Sequence, residues 1–278
     1  MKKLWENLPE KTAFSEIFQG CMLADKERVL KYKEAIDKCV KKGSIVVDLG
    51  TGSGILAKLA ADAGAGKVYA IEADPKMVKM ARRNLSGSNN AKVVKGNIYN
   101  FKLKEKADVV IGEMINTACI LEEQIPAFNH AIKHILKKDG IFIPSSIKST
   151  VQLINFKFNT YGVQLRWPLL YWKDDMEPIK TFSKHLVYDK IVFDRENDLY
   201  KEVDIKTEML KSGTVNAALI TSYVETAKGV ILKPKESITP RMIVPLRRDV
   251  IVSKGQCKNI NIKLRYNSDW GQFVVELD

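Results

Sequence analysis

Several common protein classes are excluded by what this chain lacks. Its longest stretch free of Asp, Glu, Lys and Arg is Ser212–Val224, thirteen residues. A helix that crosses a bilayer needs about 20 consecutive apolar residues, so no membrane partner is expected. The opening MKKLWENLPEKTAF has lysines but no apolar h-region, so a secretory signal is not expected and a cytoplasmic location is. Cysteine is scarce: Cys21, Cys39, Cys119 and Cys257 are scattered without a C-x-x-C pair. That spacing argues for reduced thiols rather than a zinc site or a disulfide framework. Only three histidines occur. His130 and His134 lie four apart, but no H-E-x-x-H acid accompanies them, so no metal site is expected.

The composition is that of a folded protein. Hydrophobic residues make up 45% and charged residues 28% of 278, which excludes disorder and suggests two domains or one elaborated one. Lys and Arg outnumber Asp and Glu by 45 to 33, a net charge of +12 spread over both halves. Such a surface suits RNA or an acidic partner, and it equally serves solubility.

The first half alternates strand and helix signals. An amphipathic stripe of Val29, Tyr32, Ile36, Cys39 and Val40 predicts a helix ahead of the first strand, Ser44–Leu49. Ile55, Leu56, Leu59, Ala60 and Ala63 recur at helical spacing until Gly64 and Gly66 interrupt them. Lys67–Glu72 reads as a second strand, and Asp74-Pro75 as the start of a second sheet-covering helix. Further strands are predicted at Val93–Val94, Asp108–Ile111 and Gly140–Pro144. Before the last of these comes a helix through Ile125, Phe128, Ile132 and Ile135, closed by Lys137, Lys138 and Gly140. Strands separated by helices of this length predict a parallel, Rossmann-like α/β sheet. Beyond Pro144 the period becomes two, with strands expected at Val151–Phe158, Leu186–Phe193, Tyr200–Thr207, Val215–Val224, Val250–Ser253, Ile260–Tyr266 and Phe273–Leu277. A hairpin turn is expected at Asn267-Ser268-Asp269 and some helix within Leu165–Ser183. The expected organisation is an N-terminal helical segment 1–20, a Rossmann-like domain 21–145 and a β-barrel or sandwich-like domain 146–278.

The strongest local motif is Val46-Val47-Asp48-Leu49-Gly50-Thr51-Gly52-Ser53-Gly54. Glycines between a strand and a helix let the backbone turn sharply and approach a ligand, and the helix start offers free N–H groups. Ile55 stands where a dinucleotide fingerprint needs its third glycine, and no Lys-Ser/Thr follows for a nucleotide-phosphate loop. The remaining pattern resembles the S-adenosylmethionine (SAM) loop of Rossmann-like methyltransferases. Glu72, at the end of the second strand, suits a ribose, because one carboxylate can accept from two hydroxyls.

After the fourth strand, Gly112-Glu113-Met114-Ile115-Asn116-Thr117-Ala118-Cys119-Ile120-Leu121-Glu122-Glu123 resembles the double-glutamate loop of protein arginine methyltransferases. Met22-Leu23-Ala24-Asp25-Lys26-Glu27-Arg28 with Tyr32, Lys95-Gly96-Asn97, and Gly140-Ile141-Phe142-Ile143-Pro144 are similar to further segments of that family. The resemblance implies a SAM-dependent enzyme acting on arginine in a protein substrate. It makes Glu113 and Glu122 the guanidinium clamp, although Glu123 is an alternative by spacing. It also implies that Arg28 pairs with the methionyl carboxylate of SAM, that Asp48, Gly50, Gly52 and Glu72 line the cofactor, and that Ile98 and Tyr99 lie near adenine. A guanidinium is planar, stays charged and presents five donors, so paired carboxylates can hold it bidentately.

The family's Tyr-rich first helix is reduced to Phe14 and Phe18, with Gln19 in place of its His. Met114 stands where a Trp is common, and its Thr-His-Trp loop is replaced by Ser237-Ile238-Thr239. That replacement favours an alternative, a catalytically impaired SAM-binding scaffold. The charge favours another, an RNA methyltransferase. No Asp/Asn-Pro-Pro-aromatic motif follows the fourth strand, and no Cys follows a Pro, so standard base-methylating sites are absent. The aromatic-rich Leu165–Ser183 is a candidate contact for a homodimer.

Overall fold

The structure, a computed structural model, describes residues 20, 23–171, 179–234 and 240–278. The expected segment 1–20 apart from Gly20, together with Cys21, Met22, Trp172 and Ser237–Thr239, lies outside the described residues.

The first half is a five-stranded parallel sheet. Its strands are β1 (Ile45–Leu49), β2 (Lys67–Glu72), β3 (Ala91–Lys95), β4 (Ala107–Gly112) and β5 (Leu136–Ile143), in the order β3-β2-β1-β4-β5. β1 lies at the centre, and every residue of it is buried, as expected where helices cover both faces. The helices are α1 (Lys26–Cys39), α2 (Ile55–Asp62), α3 (Pro75–Asn84) and α4 (Gln124–His134). Asp25 caps α1 by accepting from the Arg28 amide at 3.1 Å, and Asp74 caps α3 through the amides of Lys76 and Met77.

One boundary differs from expectation. α4 stops at His134, and Lys137–Gly140 belong to β5 rather than closing the helix. Between the pairs Ala107–Leu136 and Val109–Ile141 the register shifts, so these residues form an irregularity in the strand. Lys137 Nζ meets Asp108 Oδ1 at 2.5 Å, while Asp108 Oδ2 accepts from the Ile45 amide. Charge that looks like a helix end is used here to fasten the base of the sheet.

From Ser146 the chain is antiparallel, curling into a half-barrel. β6 (Ser146–Asn155), β7 (Asn159–Thr160), β8 (Val163–Gln164), β9 (Leu169–Tyr171), β10 (Lys180–Thr181), β11 (Leu186–Val192) and β12 (Tyr200–Glu208) come first. β13 (Gly213–Ala227), β14 (Val230–Leu232), β15 (Arg241–Val252), β16 (Cys257–Arg265) and β17 (Phe273–Leu277) follow. One sheet runs β10-β6-β13-β15-β9, with β11 on β6 and β14 on β13, and a smaller one runs β12-β16-β17. Within Leu165–Ser183 the described residues form strands β9 and β10 instead of a helix; Leu165 and Trp167 are exposed and Tyr171 is buried.

β15 begins nine residues before the expected Val250. Pro245 hides it, since a proline without an N–H argues against a central strand. The structure places Pro245 beside a register shift, where Val215 pairs with Val250 but Ala217 pairs with Pro245.

An aromatic cluster joins the two halves. Phe128 of α4 stacks on Phe142 of β5 at 4.4 Å and meets Phe193, which follows β11, edge-on at 4.7 Å. Phe128 is fully buried. Phe128→Ala therefore should lower the unfolding free energy by about 3–5 kcal/mol, the range for truncating a core aromatic. Urea denaturation checks it, and a loss below 1 kcal/mol, about one CH₂ of burial, contradicts the joint.

Candidate active site

The site forms at the carboxyl ends of β1, β2 and β4, where ligands of open parallel sheets bind. β1 ends in the glycine turn. Gly50, Gly52 and Gly54 have φ of +68°, +54° and +88°, a region costly for residues with a Cβ. At Gly50 a Cβ would also come within 3.3 Å of Met114 Sδ, so the turn and the loop after β4 touch there.

Three carboxylates organise the turn and its surroundings. Asp48 is buried, and its Oδ2 accepts from the Thr51 hydroxyl at 2.5 Å and the Ala57 amide at 3.1 Å. Burial pushes its carboxyl up to about 7 against the opposing pull of those two donors, with Glu72 adding to the rise. Glu72 turns back onto the loop: Oε2 accepts from the Gly52 amide at 2.9 Å, and Oε1 from the Ala73 and Asp74 amides at 2.8 Å each. Glu113 leaves the end of β4, and Arg28 Nη1 of α1 meets its Oε2 at 3.1 Å while Nε lies 3.3 Å from Asp25 Oδ2. Burial raises the Glu113 carboxyl, and Arg28 opposes that rise.

A cavity of about 390 Å³ lies between these groups. Of the residues singled out in the sequence, Arg28, Asp48, Gly50, Gly52, Glu72 and Glu113 all border it. Glu122 is on the next stretch of the same loop. Burial raises its carboxyl to about 8, with Glu113 adding to the rise and Arg28 opposing it. No hydrogen-bond donor among the described residues reaches Glu122. Glu123 is turned elsewhere: the Tyr99 hydroxyl donates to its Oε2 at 3.4 Å.

Three candidates do not join the cavity wall, and Glu122 is one of them. Ile98 and Tyr99 form a short 3-10 turn after β3 and are absent from the lining. Tyr99 meets His130 edge-on, and Ile98 packs on the main core. His130 Nε2 lies 3.1 Å from the Phe101 carbonyl oxygen, so a backbone group occupies that ring nitrogen. Among the described residues no cluster of three or more His, Cys, Asp or Glu suits a metal ion.

Some residues of the site carry no clear sequence signal. Ala118 and Cys119 both adopt left-handed backbone, with φ of 60° and 55°. Such strain persists only where surroundings over-determine it. Here the half-barrel does so. The Ala118 amide donates to Ser222 Oγ of β13 at 3.0 Å, and Ser222 in turn meets Ser149 Oγ of β6 at 3.0 Å. Thr117 Oγ1 donates to the Pro240 carbonyl at 2.5 Å, and the Ser268 amide donates to the Ile120 carbonyl at 2.6 Å. Within the loop, Gln124 is fully buried and its Oε1 accepts from the Met114 amide at 2.9 Å, tying the two glutamate-bearing ends together. These partners are distant in sequence, and periodicity carries no trace of them. Tyr32 has a weak signal, lying one helical turn from Arg28 on the same face, and it too borders the cavity.

The described chain therefore has an apolar cleft with convergent polar groups, of a size typical of small-molecule sites. The left-handed glycines, the Glu72 carboxylate and the Arg28 cation fit an adenosyl amino acid. Removing the Ser222 hydroxyl would strand the buried Ala118 amide. Ser222→Ala should therefore cost about 1–3 kcal/mol of stability, the penalty of an unsatisfied buried donor. Guanidinium chloride unfolding measures it, and wild-type stability in the variant contradicts the anchor.

Comparison with known proteins agrees with this geometry. The family profile for ribosomal protein L11 methyltransferase (PrmA) matches residues 33–157. An uncharacterized protein of Methanocaldococcus jannaschii is 33% identical over 259 residues, covering 92% of this chain and 95% of its own. An arginine N(omega)-methyltransferase of Streptomyces achromogenes subsp. streptozoticus is 33% identical over 141 residues, covering 48% of this chain but 39% of that enzyme. Among solved structures, the Trypanosoma brucei PRMT1 enzyme–prozyme heterotetrameric complex with AdoHcy aligns with a TM-score of 0.76 at 18% identity. It covers 88% of this chain and 86% of that one.

Proposed function

Because the chain is similar to class I methyltransferases and shares the fold of protein arginine methyltransferases, we propose that it moves a methyl from SAM to a guanidinium nitrogen of arginine in a protein substrate. The observation that carries this reading is a pair of largely buried carboxylates on one braced loop, Glu113 bordering the glycine-turn cavity and Glu122 close enough to Glu113 and Arg28 to feel both charges. Two relatives support it: the trypanosomal complex is one with AdoHcy, and the Streptomyces enzyme is an arginine methyltransferase.

SAM, when bound, supplies a methyl made electrophilic by its sulfonium. The work of this chain is to bind and orient. Gly50 and Gly52 let the backbone come close to the adenosyl part, and Glu72, whose Oε1 is taken by two amides, has acceptor capacity left at Oε2 for a ribose hydroxyl. Asp48 holds the turn against α2 through Thr51 and Ala57. Arg28 takes the carboxylate of the amino-acid part while remaining beside Asp25 and Glu113.

Glu113 and Glu122 accept from the N–H groups of the acceptor guanidinium. Two carboxylates at one cation fix its plane and favour electron density on the nitrogen that faces the methyl. Holding that nitrogen in line converts a bimolecular encounter into an oriented one, which accounts for much of the rate effect of such sites. Glu122 makes no hydrogen bond in the free site, so its acceptor capacity is available to an incoming cation.

Labelled SAM incubated with the chain and a whole-cell extract, followed by parallel protease and ribonuclease digestion, tests the substrate class. Label lost to protease alone fits a protein acceptor. Label lost to ribonuclease alone, or no transfer by a chain that binds SAM, contradicts it in favour of RNA or of a scaffold. In the same assay Glu113→Gln should abolish nearly all transfer while most SAM affinity remains, because the clamp loses a charge whereas the amide oxygen still accepts from Arg28 and the glycine turn is untouched. Undiminished turnover in that variant removes Glu113 from the clamp.

The pH dependence has a defined sign. Glu122 accepts from a guanidinium fully only when ionised, and the free site keeps its proton up to about 8. The profile of kcat/KM, which reports the free enzyme, should therefore rise with pH through an apparent midpoint near 8. A profile flat between pH 6 and 9, roughly the range over which such a group ionises, contradicts the assignment.

A further inference from the structure

Tyr32 is 1% exposed and borders the cavity, yet its hydroxyl finds no hydrogen-bond partner among the described residues. A buried phenol without an acceptor is costly, and native structures rarely leave one without a reason. The nearby acidic groups do not supply the acceptor. Glu113, Asp48 and Asp25 lie near enough to influence the phenol or its neighbour Arg28, yet none of their oxygens is within hydrogen-bonding reach of the hydroxyl. Cys119 also faces it and is itself fully buried. An acceptor for this hydroxyl must come from what enters the cavity.

The helix indicates which part of the ligand that is. Arg28 and Tyr32 are four residues apart on the buried face of α1, so one turn presents a guanidinium and a phenol side by side. Such a pair of donors matches a carboxylate, which has lone pairs for both. We propose that Tyr32 is a ligand-binding residue whose hydroxyl donates to the amino-acid carboxylate of the adenosyl cofactor, beside Arg28. This rests on the assignment of the cavity to SAM. Burial holds the phenol protonated far above neutral pH, so it remains a donor wherever the protein is folded.

Tyr32→Phe removes only the hydroxyl, and two probes read the result by calorimetry. S-adenosylhomocysteine, which carries the carboxylate, should bind the variant about tenfold more weakly, or about 1.4 kcal/mol. 5′-Methylthioadenosine, which lacks the amino-acid part, should bind both proteins equally. The ligand-free variant should unfold thermally at the wild-type temperature or above it, because an unpartnered buried hydroxyl has been deleted. Equal S-adenosylhomocysteine affinity in the two proteins overturns the assignment of Tyr32, as does an equal loss for both probes. A lower unfolding temperature of the ligand-free variant also overturns it, since the hydroxyl would then have a partner without ligand. A wild-type chain that binds neither probe overturns the SAM assignment itself, a different result from any of these.

Discussion

The Arg28 guanidinium, held between Asp25 and Glu113 at the edge of the cavity, is the contact on which the rest depends. A cation taken almost wholly out of water is tolerable only if it is paired and hydrogen-bonded, and removing one partner from such a group is severe. Asp25 supplies one partner from the cap of α1, and Glu113 supplies the other from the end of β4. The pair therefore does more than neutralise charge. It fixes the first helix over the glycine turn and sets the distance between that turn and the loop after β4.

The other constraint comes from the half-barrel. The loop carrying Glu113 and Glu122 contains two consecutive left-handed residues without glycine, and to its own bonds from Cys119 and Leu121 to Asn116 it adds anchors from outside. Ser222, Pro240 and Ser268 hold it from three separate places in the second half of the chain. α1 is tied to the same half, since Thr226 Oγ1 donates to the Lys31 carbonyl and Lys38 Nζ to the Lys228 carbonyl. The parallel sheet thus provides the turn and the cavity floor, and the antiparallel part fixes the geometry of the acidic loop. A site divided in this way gives a physical reason for the two sheets to share one continuous core.

The same division explains what is legible in the sequence. Asp48, the three glycines and Glu72 act within thirty residues of one another, through strand ends and a turn whose chemistry is local, so their pattern is readable directly. The strands of the half-barrel follow period two and are equally visible, except where Pro245 breaks β15 and where Lys137–Gly140 imitate a helix end. Only analogy of position along the chain puts Ile98 and Tyr99 near adenine. Their side chains instead follow local packing against His130 and the core. Ser222 and Gln124 cannot be singled out from the sequence at all, and Tyr32 is visible there only as a position on the buried face of α1. A serine in a strand and a glutamine at a helix start acquire meaning only from the group that the fold brings opposite them.

Two buried carboxyls with raised proton affinity show how environment separates structural from functional acids. Asp48 and Glu122 are both shifted upward mainly by burial. Asp48 accepts at Oδ2 from a hydroxyl and an amide of its own turn, so its charge state matters to the integrity of that turn. Glu122 has no such donor. It stands near Glu113 and Arg28, where a second negative charge is disfavoured until a cation arrives. A planar cation with several N–H groups relieves both deficits at once, neutralising the pair and filling the empty lone pairs. A neutral nucleobase amine could donate to the empty lone pairs but would leave the paired negative charge uncompensated. That difference in charge is the physical ground on which the proposed guanidinium acceptor rests.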